Sequence, residues 1–109
     1  MELLAPAAVA DLLGVPVNRV RQYVRDGQLL LVTDPATDTT GVPALFVQDH
    51  AVVKSLPSVI TQLRDARFSD GEIVDWLHRE DDSLPGSPID ALRANRGSEV
   101  KRRAQVAGY

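Results

Sequence analysis

Most apolar positions in the first quarter of the chain recur at helical spacing. Val9, Leu12 and Leu13 fall at i, i+3 and i+4 and predict a short helix from Pro6 to Leu13. Pro6 suits its first turn, and Gly14 suits the left-handed position that ends it. Pro16 then opens a second helix, to about Asp26. Val17, Val20, Tyr23 and Val24 fill one arc of that helix; Asn18, Arg21, Gln22 and Arg25 fill the opposite arc, with Arg19 on its shoulder. Gly27 ends it. Leu29 to Thr33 then reads as a buried strand and Val42 to Val47 as a second one, with the polar segment Asp34 to Gly41 between them as the loop of a hairpin. Pro43 has no amide to give to a ladder and so demotes the second strand to a sheet edge.

Beyond the hairpin the helical period returns. Asp49 can cap a short helical piece that Pro57 interrupts or restarts, and Val59, Ile60 and Leu63 bury one face of the segment up to Arg67. Ser69-Asp70-Gly71-Glu72 is a capping box: the serine side chain serves the N3 amide and the glutamate reaches back. Ile73, Trp76 and Leu77 form the core stripe of the helix that follows, which makes Trp76 a core residue rather than a stacking platform for bases. Glu80 to Ser87 reads as a loop turning at Pro85-Gly86, and Ser87-Pro88 as an N-cap and N1 pair with Ile89 and Leu92 inward. Gly97-Ser98 breaks and recaps the chain. Ser98 opens a last helix with Val100, Ala104 and Ala107 on one side and Lys101, Arg102 and Arg103 exposed. That helix is too short for a long coiled coil, so a homodimer is a possible partner without a coiled-coil signature.

Helix, tight turn, helix and hairpin, in that order, read as a helix-turn-helix with a wing. The expected fold is mainly α with a small β-hairpin wing: a winged helix-turn-helix over residues 1–79, then a C-terminal helical extension over 80–109 packed on it as one compact domain. In such an arrangement the first helix supports the second, whose polar face enters the major groove of duplex DNA.

Charge sharpens this reading. The total over 109 residues is −3, which at first sight argues against nucleic acid. The distribution is uneven: residues 1–25 carry net +1, residues 26–88 net −7 and residues 89–109 net +3. A polyanion responds to the field within about a Debye length, roughly 8 Å at physiological salt, more than to the total. The polar arc of the second helix holds three Arg, one Asn and one Gln and no acid. Surface helices usually mix signs, because i,i+4 acid–base pairs stabilise them. Arg suits guanine edges and Asn or Gln suit adenine, so Asn18, Arg19, Arg21, Gln22 and Arg25 are the candidate DNA-binding residues. Lys54, next to Ser55 at a possible helix start, is a further candidate phosphate contact. Lys101, Arg102 and Arg103 have two readings, as phosphate contacts or as favourable charge toward a helix C-terminus. The wing tip carries Asp34 and Asp38 and no base, which argues against a strong wing–phosphate contact. Its threonines Thr37, Thr39 and Thr40 are expected to be exposed. A phosphate there adds about −1.5 to −2 charge and weakens DNA binding, an expectation that an unchanged affinity of Thr39→Glu contradicts.

Other chemistries lack their residues. There is no cysteine, hence no disulfide framework and no thiolate nucleophile or zinc site. His50 and His78 have no metal-ligand spacing, and the acids Glu80-Asp81-Asp82 read as solvated or capping residues. There is no G-x-S-x-G, no phosphate-binding glycine loop and no G-x-G-x-x-G. No enzyme activity, cofactor or metal is expected. No apolar run approaches the roughly 18 residues of a membrane span, and Met1-Glu2-Leu3-Leu4 lacks the basic start of a signal peptide. A cytoplasmic protein is expected, at the nucleoid if it binds DNA.

Ala8 to Pro16, Val20 and Arg25-Asp26-Gly27-Gln28-Leu29 resemble the first half of excisionase- and MerR-type winged helices. Leu63 to Ile73 is similar to the MerR-type junction between helices three and four. A broader resemblance runs along most of the chain through Leu13-Gly14-Val15-Pro16-Val17, Val52-Val53-Lys54-Ser55-Leu56-Pro57, Glu72-Ile73 with Trp76-Leu77, Asp82-Ser83-Leu84, Pro88-Ile89-Asp90-Ala91-Leu92 and Arg102-Arg103-Ala104-Gln105. In that order these segments resemble the actinobacterial winged helix-turn-helix DNA-binding family whose mycobacterial member is a substrate of the Ser/Thr protein kinase L. The resemblance implies a regulator of transcription or a nucleoid-associated factor, and makes a Ser/Thr protein kinase a possible partner. The resemblance also implies an N-terminal extension, whereas this sequence starts almost at helix one, so regulation through such a tail is not expected to transfer. The stretch from Trp76-Leu77 to Leu92 is also similar to the toxin-binding domain of Xre/MbcA/ParS-type antitoxins, which implies a protein-interaction module as the alternative.

Overall fold

The structure, a computed structural model, describes residues 1–84 and 86–107. It divides into two compact units, Met1–Val52 and the residues from Val53 on. The division falls at 52/53 rather than 79/80, because the third and fourth helices pack with the last two.

The first unit opens with a two-residue strand β1 (Leu3–Leu4), then helices α1 (Pro6–Leu13) and α2 (Val17–Arg25). Pro6 sits in the first turn of α1. Gly14 adopts φ 68° and closes the helix, with its amide on the Asp11 carbonyl and the Val15 amide on Ala10. Val9 and Ala10 are the residues α1 buries, while Leu12 is 41% exposed; the apolar stripe is rotated from the one expected. Pro16 is extended and precedes α2 instead of occupying its first turn. At the other end the Gln28 amide reaches the Tyr23 carbonyl at 2.8 Å and the Gly27 amide reaches Val24 at 3.2 Å, with Gly27 at φ 77°. This is a Schellman closure, and its glycine is the one residue type that adopts that φ without cost.

Strands β2 (Val32–Asp34) and β3 (Thr39–Pro43) make the wing, joined by the four residues Pro35 to Asp38. Both differ from the apolar runs that suggested them. Leu29 and Leu30 are fully buried but irregular, with the Leu29 amide held on the Tyr23 carbonyl by the helix closure; the ladder starts only at Val32, opposite Gly41. Ala44–Phe46 is a 3₁₀ turn that plugs Phe46 into the core, so the second strand ends at Pro43 instead of Val47. Pro43 does not mark an edge either. The sheet order is β1-β3-β2, with β3 in the centre and all pairs antiparallel. The Ala44 amide donates to the Glu2 carbonyl, so Leu3 and Pro43 form a non-hydrogen-bonded pair. The amide that proline lacks therefore faces the β2 side, beyond the point where β2 pairing begins. Gly41 lies under β1: a Cβ there stands 2.6 Å from the Leu4 carbonyl oxygen.

A second hairpin, β4 (Val47–Gln48) and β5 (Ala51–Val52), turns through Asp49 and His50 at φ 54° and 64°. Two consecutive positive φ values are the signature of a type I′ turn, so Asp49 is a turn residue and caps no helix. His50 Nδ1 donates to the Leu12 carbonyl at 3.1 Å, tying this turn to the end of α1.

The second unit contains α3 (Leu56–Asp65), α4 (Asp70–His78), α5 (Pro88–Arg93) and α6 (Gly97–Ala107). Leu56, Val59, Ile60 and Leu63 of α3, Ile73 and Leu77 of α4, Ile89 and Leu92 of α5, and Val100 and Ala104 of α6 form its core. Both expected N-caps are present. Ser69 accepts from the Glu72 amide while Glu72 accepts from the Ser69 amide, and Ser87 pairs with Asp90 in the same way. Gly86 turns at φ 99°; Pro85, the other half of the expected turn, lies outside the described residues. Gly97 does not break the chain but is the first residue of α6. It is small because α6 packs on α3 there: a Cβ on Gly97 stands 2.6 Å from Ser55 Oγ. Trp76 is only half-buried, at the margin of the α4 stripe.

Candidate nucleic-acid interface

The 3.6-residue period separates the two faces of α2. Val20 is completely buried against the first unit's core, and Val17, Tyr23 and Val24 are half-buried beside it. Asn18, Arg19, Arg21, Gln22 and Arg25 are all exposed. The core half of the helix fixes its rotation, so the five polar residues share one outward face. Among the described residues none of the three arginines has a carboxylate within ion-pair distance; the ion pairs there are Arg64–Asp70, Arg96–Glu99 and Arg103–Asp81. The face therefore carries three uncompensated guanidiniums around two amides. Arg25 lies in the last turn, where the helix dipole also favours a cation.

The wing follows α2 within the same unit. Thr33 and Thr40 lie opposite each other, their hydroxyls 2.7 Å apart. Asp34 turns its carboxylate onto the Ala36 amide at 2.9 Å, which uses one of the two wing acids to hold the turn. Thr37, Thr39 and Thr40 are exposed, as expected of the tip. Thr33 is a wing-face residue that the sequence did not single out, since only the register puts it beside Thr40.

The remaining candidates belong to the second unit. Lys54 is exposed in the turn before α3, and Arg102 is exposed on α6. Lys101 and Arg103 are half-buried, so the expectation of three exposed bases on α6 holds for Arg102 alone. Arg103 is committed inward. Its Nη2 donates to the Ser83 hydroxyl at 2.9 Å and to the Ser83 carbonyl at 3.2 Å, its Nη1 donates to the Glu99 carbonyl at 3.1 Å, and Asp81 lies 3.7 Å away. The guanidinium clamps the 81–83 loop, which leaves it little to offer a phosphate. The same loop holds the Asp81 carboxyl below its ordinary value, chiefly through the Ser83 hydroxyl and amide, with a smaller contribution from Arg103. The apolar residues of the antitoxin-like stretch, Leu84, Ile89 and Leu92, are spent in this unit's own core. No group of three or more His, Asp or Glu is placed to hold a metal ion among the described residues.

Comparison with known proteins bears on both units. Residues 1–47 match the family model described as DNA-binding protein Rv2175c, wHTH domain, and residues 53–108 match that of the Rv2175c C-terminal domain of unknown function. The chain is 42% identical over 113 aligned residues to DNA-binding protein Rv2175c of Mycobacterium tuberculosis strain H37Rv, covering 93% of this chain and 77% of that protein. The chain belongs to the Rv2175c family. The NMR structure of Rv2175c shares the fold with a TM-score of 0.86 at 37% identity, over 99% of this chain and 82% of the other. The winged helix-turn-helix followed by C-terminal helices is thus the family's architecture. The boundary between the two family models falls, like that between the compact units, close to residue 52.

Proposed function

We propose that this protein binds duplex DNA through the outward face of α2, with the wing beside it, as a regulator of transcription or a nucleoid-associated factor. The observation that carries this reading is the exposed face of Asn18, Arg19, Arg21, Gln22 and Arg25, which holds three cations with no acidic partner among the described residues. Membership of a family whose first domain is described as the winged helix-turn-helix of a DNA-binding protein supports it. A helix of this kind fits the major groove, roughly 12 Å wide, and its arginines gain affinity from phosphates by releasing counterions. Within the second unit, Lys54, Lys101 and Arg102 are the candidate phosphate contacts, and Arg103 serves mainly to hold its own loop. Phosphorylation of the exposed wing threonines by a Ser/Thr protein kinase adds negative charge and weakens the complex.

A salt-series titration of duplex DNA tests this reading. Each phosphate contact contributes about −0.9 to the slope of log K against log salt. Three to six contacts give a slope of roughly −3 to −5, and Arg102→Ala makes it shallower by about 0.9, whereas Arg103→Ala leaves it unchanged. A slope near zero contradicts the reading.

A further inference from the structure

Around α2 the five exposed side chains are ordered by chemistry. At about 100° per residue, the direction opposite the mean of Val17, Val20, Tyr23 and Val24 is the centre of the outward face. Gln22 and Asn18 lie within roughly 30° of that centre, while Arg25, Arg19 and Arg21 lie about 50°, 70° and 90° away, Arg19 on one flank and the other two on the opposite flank. The amides thus occupy the ridge of the helix and the guanidiniums both of its shoulders. For a helix lying in the major groove, the ridge faces the base edges and the shoulders face the two phosphate walls.

We infer that Asn18 and Gln22 are the specificity-determining residues of this helix and that Arg19, Arg21 and Arg25 grip the backbone on either side. This rests on the reading of α2 as the DNA-binding element, and goes beyond it by dividing the labour between ridge and shoulders. Size agrees with position. A short amide reaches a base only from the ridge, where the backbone comes closest; a long guanidinium spans from a shoulder to a wall. A terminal amide makes its bidentate pair with adenine N6 and N7. The two amides are one turn apart, about 6 Å along the axis, a separation that spans neighbouring base pairs. The preferred target therefore presents adenines to the major groove at two nearby positions. A guanine-directed code, which arginines on the ridge create, is not the one built here.

The test is selection of bound duplexes from a random-sequence pool, followed by titration of the selected duplex, of single-base variants of it and of random duplex, in a salt series. The proteins are wild type, Asn18→Ala, Gln22→Ala, Arg19→Ala and Arg25→Ala. All four changes are at exposed positions and spare the core. Wild type is expected to select A·T pairs at two nearby positions and to prefer them by roughly 5- to 100-fold over substituted duplexes. Asn18→Ala and Gln22→Ala each erase the preference at one position and keep the salt slope. Arg19→Ala and Arg25→Ala weaken binding to every duplex alike and make the slope shallower by about 0.9. Loss of base preference in an arginine variant with its retention in both amide variants overturns the inference, as does a wild type that binds DNA without base preference; the proposed function survives either result. Binding to all duplexes unchanged in every variant overturns the proposed function as well.

Discussion

Gly97→Ala is the substitution whose effect the packing of α3 and α6 fixes most tightly. Taken as helix propensity alone, it is favourable by at most the roughly 0.5–1 kcal/mol that alanine gains over glycine in a helix interior, since Gly97 is the first residue of α6. The structure opposes that gain. The new Cβ stands 2.6 Å from Ser55 Oγ and 2.9 Å from Ser55 Cβ, well inside ordinary contact, and the Cβ cannot be rotated away. Ser55 itself is held at φ 72° at the start of α3, so its backbone has little room to yield. Overpacking of this kind costs about 1–3 kcal/mol, which leaves a net loss of about 1–2 kcal/mol. At roughly 4–8 °C per kcal/mol for a domain of this size, the midpoint of thermal unfolding falls by about 4–16 °C. Ser55→Gly removes both offending atoms and frees the left-handed position, so Gly97→Ala in a Ser55→Gly background recovers most of the loss. Urea and thermal unfolding of the single and double variants measure the coupling directly. A Gly97→Ala protein as stable as wild type, or a double variant no better than the sum of its singles, refutes the close approach as the reason for this glycine.

Gly41→Ala places a Cβ 2.6 Å from the Leu4 carbonyl oxygen and lifts β1 off the centre of the wing sheet. The Ala44 amide, which donates to Glu2, then loses protection in hydrogen exchange while the amides of α1 keep theirs. The Glu72 carboxyl sits below its ordinary value, first because the Ser69 amide and then because the Ser69 hydroxyl donates to it. A depressed carboxyl pKa contributes stability that is full above the unfolded value, about 4.3, and is lost as pH falls through the folded one. In urea unfolding, wild type is therefore more stable than Glu72→Gln at neutral pH, and the gap closes in the acid range; a gap that widens toward acid contradicts the capping box as its source.

The helices were legible because their signals are local. Pro6 and Gly14 bracket α1, the Ser69–Glu72 and Ser87–Asp90 boxes start α4 and α5, and the polar arc of α2 is written in a 3.6-residue period. The sheet was less legible because its signals are not local. Leu29-Leu30-Leu31 has the composition of a strand, yet all three stay out of the ladder, which starts at Val32, and the closure of α2 holds the Leu29 amide on the Tyr23 carbonyl. The centrality of β3 depends on Leu3 and Leu4, a pair too short to announce itself as a strand and nearly forty residues away. Gly97 reads as a breaker in sequence because the residue that demands it, Ser55, is far along the chain. The candidate site divides in the same way. The α2 face follows from periodicity, whereas the inward commitment of Arg103 depends on Ser83 and Asp81, which only the fold brings near.

The most direct test of DNA binding through α2 is a duplex titration with Arg21→Ala/Arg25→Ala against wild type at several salt concentrations. Both side chains are exposed, and neither has an ion-pair partner among the described residues, so removing them spares the fold. The double variant is expected to bind every duplex more weakly, with a salt slope shallower by nearly 2 and the largest loss at the lowest salt, while its unfolding midpoint stays at the wild-type value. A folded double variant that binds duplex DNA as tightly as wild type across the series contradicts the account.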